Sequence, residues 1–156
     1  MSPEASPADW EASAAAWISV QDTGGDWGRR HVLDRPMMDR VCRRTIGRAL
    51  DIGCGEGRFC RMMTAAGIET VGVDPTVRLI DRARALDPRG DYRIGRAEAL
   101  ALDDDAFDLA VFYLSLCDIE AYQDAVREAM RVLRPGGILL IANLQAFNTC
   151  ATAQGW

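Results

Sequence analysis

A chain of 156 residues that is 49% hydrophobic and 26% charged, with a net charge of −5, has the length of one domain and the balance of a soluble globule. That acidic balance, with no polybasic stripe, excludes a nucleic-acid-coating surface, and no apolar run reaches membrane-spanning length. All 18 basic residues are arginines, which excludes a phosphate-loop lysine and Schiff-base chemistry.

The first predicted element is an alanine-rich helix over Ala8 to Val20, with Trp10, Ala14, Trp17 and Ile18 at helical spacing. Trp10 and Trp17 are seven apart and share a face, which reads first as packing. A turn cluster, Asp22 to Asp26, leads to a second helix over Arg35 to Thr45, with Pro36 in its first turn. From Arg48 the pattern changes. Strands are expected over Ala49 to Ile52, Glu69 to Asp74, Tyr92 to Gly95 and Phe107 to Tyr113, and helices over Gly57 to Ala66, Thr76 to Leu86 and Ile119 to Leu133. Arg134-Pro-Gly-Gly137 stops the last helix before a fifth strand, Ile138 to Ala142. Such alternation implies a parallel α/β sheet with right-handed crossovers and helices on both faces. Residues 1–46 then form a helical N-terminal segment and 47–156 the α/β unit.

The chemistry-bearing motif is Ala49-Leu-Asp-Ile-Gly-Cys-Gly-Glu-Gly-Arg58, followed by Val71-Gly-Val-Asp74 at the end of the next strand. Glycines after a strand let backbone approach a ligand, and a carboxylate one strand away suits a ribose. A dinucleotide loop needs a small residue where this chain has Arg58, so the spacing points away from NAD and toward a ligand with an amino-acid moiety in place of the pyrophosphate. A nicotinamide-dependent oxidoreductase is therefore the disfavoured alternative.

Four blocks carry a resemblance: Leu50-Asp-Ile-Gly-Cys-Gly-Glu-Gly57, Gly72-Val-Asp74, Gly95-Arg-Ala-Glu-Ala-Leu100 with Phe107-Asp108, and Arg131-Val-Leu-Arg-Pro-Gly-Gly137. Residues 45 to 143 resemble a class I S-adenosylmethionine-dependent methyltransferase of the small-molecule type. The resemblance implies a Rossmann-like sheet of order 3-2-1-4-5, S-adenosylmethionine as cofactor and S-adenosylhomocysteine as product. It places Asp51, Gly53 and Gly55 around the methionine end, with Cys54 inside that loop as a small space-filling residue, Asp74 on the ribose, and Arg96 and Ala97 around the adenine with Pro75 as an apolar wall; Glu98 either borders the cofactor or sits on a solvated loop with Asp103, Asp104 and Asp105. Tyr113, Leu114 and Ser115 face the sulfonium and a small-molecule acceptor. Many relatives have Asp where this chain has Arg96, and arginine cannot accept a bond from the adenine amino group. Relatives also continue past strand five, so strands six and seven are expected to be missing. The exposed fifth strand is then covered by a C-terminal segment or a second copy of the chain, and a silent cofactor-binding fragment is the alternative function.

His31, the sole histidine, is the candidate general base. The five cysteines include no Cys-x-x-Cys pair, so no metal is expected, and their reduced state with the absence of a signal segment suits the cytoplasm.

Overall fold

Alternating residues on each strand feed two cores, one on either face of a single sheet. The computed structural model describes residues 7–144. Strands β1 (Arg48–Ile52), β2 (Glu69–Asp74), β3 (Asp91–Ile94), β4 (Phe107–Tyr113) and β5 (Leu133–Ala142) are all parallel and lie in the order β3-β2-β1-β4-β5. This is the order expected, and among the described residues the sheet has five strands.

On one face Leu50, Ile52, Val71, Val73, Ala110 and Phe112 pack against Ala125, Ala129 and Val132 of helix α5 (Tyr122–Val132). On the other, Ala49, Leu109 and Val111 meet Met37 and Val41 of α2 (Asp34–Val41) and Phe59 and Met63 of α3 (Arg58–Ala65). Helix α4 (Val77–Leu86) joins that second layer through Ile80 and Ala83, which meet Cys60 and Tyr92. An N-terminal helix, α1 (Pro7–Asp22), is tied to α4 by the Arg78–Glu11 and Arg82–Asp22 ion pairs, at 3.4 and 2.5 Å.

Several boundaries differ from expectation. The second helix ends at Val41 rather than Thr45, and a π-helical turn, Arg29–Leu33, runs directly into it. The last helix begins at Tyr122, because the segment after β4 first makes a 3-10 turn, Leu116–Asp118. Strand β5 begins five residues early: Leu133 already pairs with Phe107, and the register then shifts through the Gly136 turn before Ile138 pairs with Leu109. Strand β5 lies at an edge of the sheet among the described residues; Leu139 packs on the first core and Ile138, Leu140 and Ala142 on the second, while Ile141 is 41% exposed.

Two of the matched blocks serve the frame rather than chemistry. Asp108 accepts the Gly47 and Arg48 amides at 2.8 and 2.9 Å and pairs with Arg134 at 2.9 Å, which fixes the start of β1 against β4 and β5. Those amides and Arg134 hold its carboxyl below the usual range against partial burial. Arg131 donates to the Leu100 and Leu102 carbonyls at 3.0 and 2.9 Å, and Glu128 accepts from the Leu100 amide at 2.9 Å, so α5 pins the long β3–β4 connection.

Candidate active site

The carboxyl ends of parallel strands all open on the same edge of the sheet, and there the chain forms one crevice between the tips of β1 to β4 and helix α1. The glycine loop after β1 forms its floor. Gly53 has φ +75°, and a Cβ on it would collide with Ser115, whose hydroxyl donates to the Ile52 carbonyl at 2.5 Å. Gly57 is required by the Tyr92 ring packed on it. Gly55 differs: with φ +55°, it has no atom of the described residues beyond its chain neighbours within 4 Å of where a Cβ would be, so that side is open to a ligand. Its amide donates to Asp74 Oδ2 at 2.9 Å, while Asp74 Oδ1 accepts from the Thr76 amide at 2.9 Å. Each carboxylate oxygen keeps a second lone pair for a ribose hydroxyl. Burial pushes the Asp74 carboxyl up, opposed by those two amides.

Asp51 is the most constrained group of the site. It is 1% exposed, its Oδ2 accepts only from the Cys60 thiol at 3.4 Å, and its Oδ1 has no partner among the described residues. Burial pushes its carboxyl up to about 7, with a small opposing pull from Cys60 and Arg29. A buried carboxylate oxygen without a donor carries a desolvation cost that a cation in the crevice would offset. Cys54 is buried beside Cys60 and fills space between the loop and Gly72.

Arg29 enters the crevice from the π-helical turn. Asp26 accepts its amide at 3.0 Å and pairs with its guanidinium at 3.6 Å, which lies 5.1 Å from the Trp17 ring and 5.5 Å from the Tyr113 ring. Its buried Nε makes no hydrogen bond among the described residues. Arg29 is not among the site residues the sequence pointed to; its neighbour His31 is, and the structure does not bring His31 to the crevice. His31 is exposed and stacks on Trp27, with ring centroids 5.0 Å apart. Residues two apart on a helical turn lie roughly half a turn from each other and face nearly opposite sides, so one of these two points out.

Trp10 and Trp17 pack edge to face, 5.8 Å apart, as their shared face implied, and both also line the crevice. Trp10 and Asp118, from α1 and the turn after β4, line the crevice together, and burial raises the Asp118 carboxyl. Tyr113, Leu114 and Ser115 stand where expected, at the tip of β4. Leu114 has φ +58°, a left-handed conformation costing a side-chain-bearing residue about 1–2 kcal/mol. Tyr113 is fixed at its hydroxyl and at its ring. Its hydroxyl donates to Asp34 at 2.9 Å, its ring meets Phe59 at 4.7 Å, and Asp34 is held bidentately by Arg58. Burial raises the Tyr113 hydroxyl, as does its bond to Asp34. Arg58, which displaces the small residue of a dinucleotide loop, thus has a job in this wall. Pro75, Arg96, Ala97 and Glu98 close the β3 end, with Arg96 Nη2 donating to Glu98 Oε1 at 3.0 Å. No cluster among the described residues could hold a metal ion, and none of their helices is long and apolar enough to cross a membrane.

A family profile described as a methyltransferase domain matches residues 50–141, from the middle of β1 to the end of β5. The chain belongs to this family. As a member of it, the chain is 33% identical over 120 residues to malonyl-[acyl-carrier protein] O-methyltransferase of Enterobacter lignolyticus, covering 77% of this chain and 48% of that protein. It is 34% identical over 122 residues to the ubiquinone/menaquinone biosynthesis C-methyltransferase UbiE of Dinoroseobacter shibae, covering 73% and 49%. Among solved structures, an S-adenosylmethionine-dependent methyltransferase of Thermotoga maritima, described as a possible histamine N-methyltransferase, superposes with a TM-score of 0.65 at 28% identity, covering 85% of this chain and 58% of that one. The chain spans about half the length of the curated relatives it matches.

This methyltransferase domain fits the family's cofactor by its own atoms. The Asp51 oxygen without a partner among the described residues suits an ammonium, the Arg29 guanidinium, whose Nε lies 3.6 Å from Asp26, a carboxylate, Asp74 a ribose and the open side of Gly55 a close backbone approach. Arg29→Met is expected to weaken S-adenosylhomocysteine binding about tenfold while leaving adenosine binding unchanged, since only the first ligand has a carboxylate. Calorimetry with both ligands checks it, and an equal loss for both refutes the assignment.

Proposed function

We propose that this chain binds S-adenosylmethionine and transfers its methyl group to a small-molecule acceptor. The observation that carries the reading is the buried Asp51 Oδ1, without a partner among the described residues, in a crevice that also holds the Asp74 carboxylate and the Arg29 guanidinium, whose Nε lies 3.6 Å from Asp26. An amino acid carries both complementary charges on one carbon. A dinucleotide offers only anionic phosphates to that end, and Asp51 would repel them.

When bound, the cofactor supplies a methyl group on a positively charged sulfur. The chain's own part is alignment, which for well-oriented partners supplies roughly 7–11 kcal/mol of the barrier. Arg29 and Asp51 hold the two ends of the amino acid, and the rigid Tyr113 wall and the strained Leu114 backbone border the acceptor side. The two indoles and α1 narrow that side to small molecules. With His31 outside, Asp118 and Glu120 are the carboxylates past the tip of β4 that line the crevice and could take a proton from a hydroxyl or amine. Relatives carrying O-, C- and N-methyltransferase names leave the acceptor atom open.

Binding and turnover are separable in a chain half the length of its relatives, and a silent cofactor-binding domain is the second reading. Calorimetry with S-adenosylhomocysteine is expected to show one site per chain. No heat and no thermal stabilisation would remove the basis of the proposal, because a ligand that binds only the folded state must stabilise it by mass action. Transfer of labelled methyl from S-adenosylmethionine to any small acceptor would reject the silent reading.

A further inference from the structure

Charge is unevenly spread along the crevice. Six carboxylates line it against three guanidiniums, and most of these groups already have a partner. Arg58 is committed to Asp34, Arg96 to Glu98 and Glu56 to Arg61. On the cofactor reading above, Asp51 and Arg29 take the amino acid and Asp74 the ribose. Two carboxylates remain, Asp118 and Glu120, both past the tip of β4, and neither enters an ion pair among the described residues. Burial raises the Asp118 carboxyl, opposed by the adjoining Trp10 indole and by Arg29. Trp10 packs edge to face on Trp17, and both indoles line the crevice with the apolar Leu114 and Ile119.

We propose, resting on that cofactor reading, that the methyl acceptor is a small organic amine, which enters as an ammonium between the Asp118 and Glu120 carboxylates and the Trp10 and Trp17 indoles. An anionic acceptor would meet two unpaired carboxylates, and a neutral hydroxyl would gain nothing from their charge. An ammonium gains from both walls, since carboxylates give it charge-assisted hydrogen bonds and indole faces attract cations more than other aromatic rings do. The same two carboxylates offset the repulsion between an ammonium and a positively charged sulfur. An amine attacks only when its lone pair is free, so one N–H proton passes first to Asp118 or Glu120 and from there to solvent. Burial makes Asp118 a better base for this than an exposed carboxylate. The nitrogen lone pair then forms the new C–N bond as the methyl–sulfur bond breaks, its electron pair staying on a sulfur that becomes neutral. The product leaves as a methylated ammonium, and one proton is released per turnover.

The test is calorimetry on the chain saturated with S-adenosylhomocysteine, titrated with 2-phenylethylamine, 2-phenylethanol and phenylacetate, which share a ring and differ in the charge of the tail. The unaltered chain is expected to prefer the amine to the alcohol by about 30-fold and to bind phenylacetate more weakly than either. Glu120→Gln, at an exposed position where the fold is not at risk, is expected to lower the amine's advantage about fivefold, and Asp118→Asn to lower it at least as far. Absence of amine binding, an alcohol or phenylacetate bound as tightly as the amine, or an advantage that Glu120→Gln and Asp118→Asn both retain overturns the assignment while leaving the cofactor reading in place. Failure of the unaltered chain to bind S-adenosylhomocysteine overturns both.

Discussion

Replacing Asp51 by Asn is expected to weaken S-adenosylhomocysteine binding roughly 30-fold at pH 8 and, in the same protein, to raise the stability of the ligand-free chain. Both effects follow from one atom. Asp51 is buried with an unpartnered oxygen and a carboxyl pushed up to about 7, against an ordinary value of 3.8. When the folded state holds a proton more tightly than the unfolded state, the group's contribution to stability is full below the unfolded pKa. It is lost as the pH rises through the folded one. The ligand-free chain therefore loses on the order of 4 kcal/mol at this group between pH about 4 and pH about 7, because each pH unit in that window costs about 1.4 kcal/mol. Asn still accepts the Cys60 thiol but never ionises, so the variant should unfold at a higher temperature than the unaltered chain at pH 8 and at a similar one near pH 4.

Binding has the opposite pH trend. An ammonium beside Asp51 favours the ionised carboxylate, so binding releases a proton and affinity should climb as the pH rises toward and past about 7. In Asp51→Asn that climb should be absent. Thermal unfolding at the two pH values and calorimetry across them check the whole scheme. A variant that binds like the unaltered chain at pH 8 removes Asp51 from the cofactor site, and one that is less stable at pH 8 shows that the carboxylate was not a burden to the fold.

The strands, their order and the floor of the crevice were legible in the sequence because their signals are local. A glycine that must turn next to Ser115, an apolar run that must alternate between two cores and an acidic residue that ends a strand each depend on a few neighbours. The far wall was not legible, because it is made of residues that converge from separate segments. Arg29 is separated by 84 positions from Tyr113, the ring it covers, and nothing in its spacing distinguishes it from Arg30 or His31. The π-helical turn decides which of the three faces inward, and no short pattern announces that turn. Trp10 and Trp17 show the same limit from the other side. Their periodicity correctly grouped them on one face, but whether that face meets core or crevice depends on where α1 comes to rest. Leu114 adopts a conformation its residue type disfavours, so propensity argued against the observed backbone.

Asp74→Ala is expected to weaken S-adenosylhomocysteine by about 100-fold or more, because this carboxylate does two things at once. It accepts the Gly55 and Thr76 amides, setting the glycine loop and the first turn of α4, and it presents its remaining lone pairs to the ribose. Loss of affinity alone would not separate these roles, since a collapsed loop also loses ligand. The separation comes from a second ligand, the 2′-deoxy analogue, in a double-mutant cycle. If Asp74 holds the ribose, removing the 2′-hydroxyl should cost the unaltered chain about tenfold and the Ala variant almost nothing. Equal losses in both proteins would show that Asp74 only shapes the loop. Asn is not a gentle control at this position, because its amide would aim an N–H at one of the two backbone donors that the carboxylate now satisfies. Its stability should fall by about 1–3 kcal/mol, the cost of leaving a buried donor unpaired.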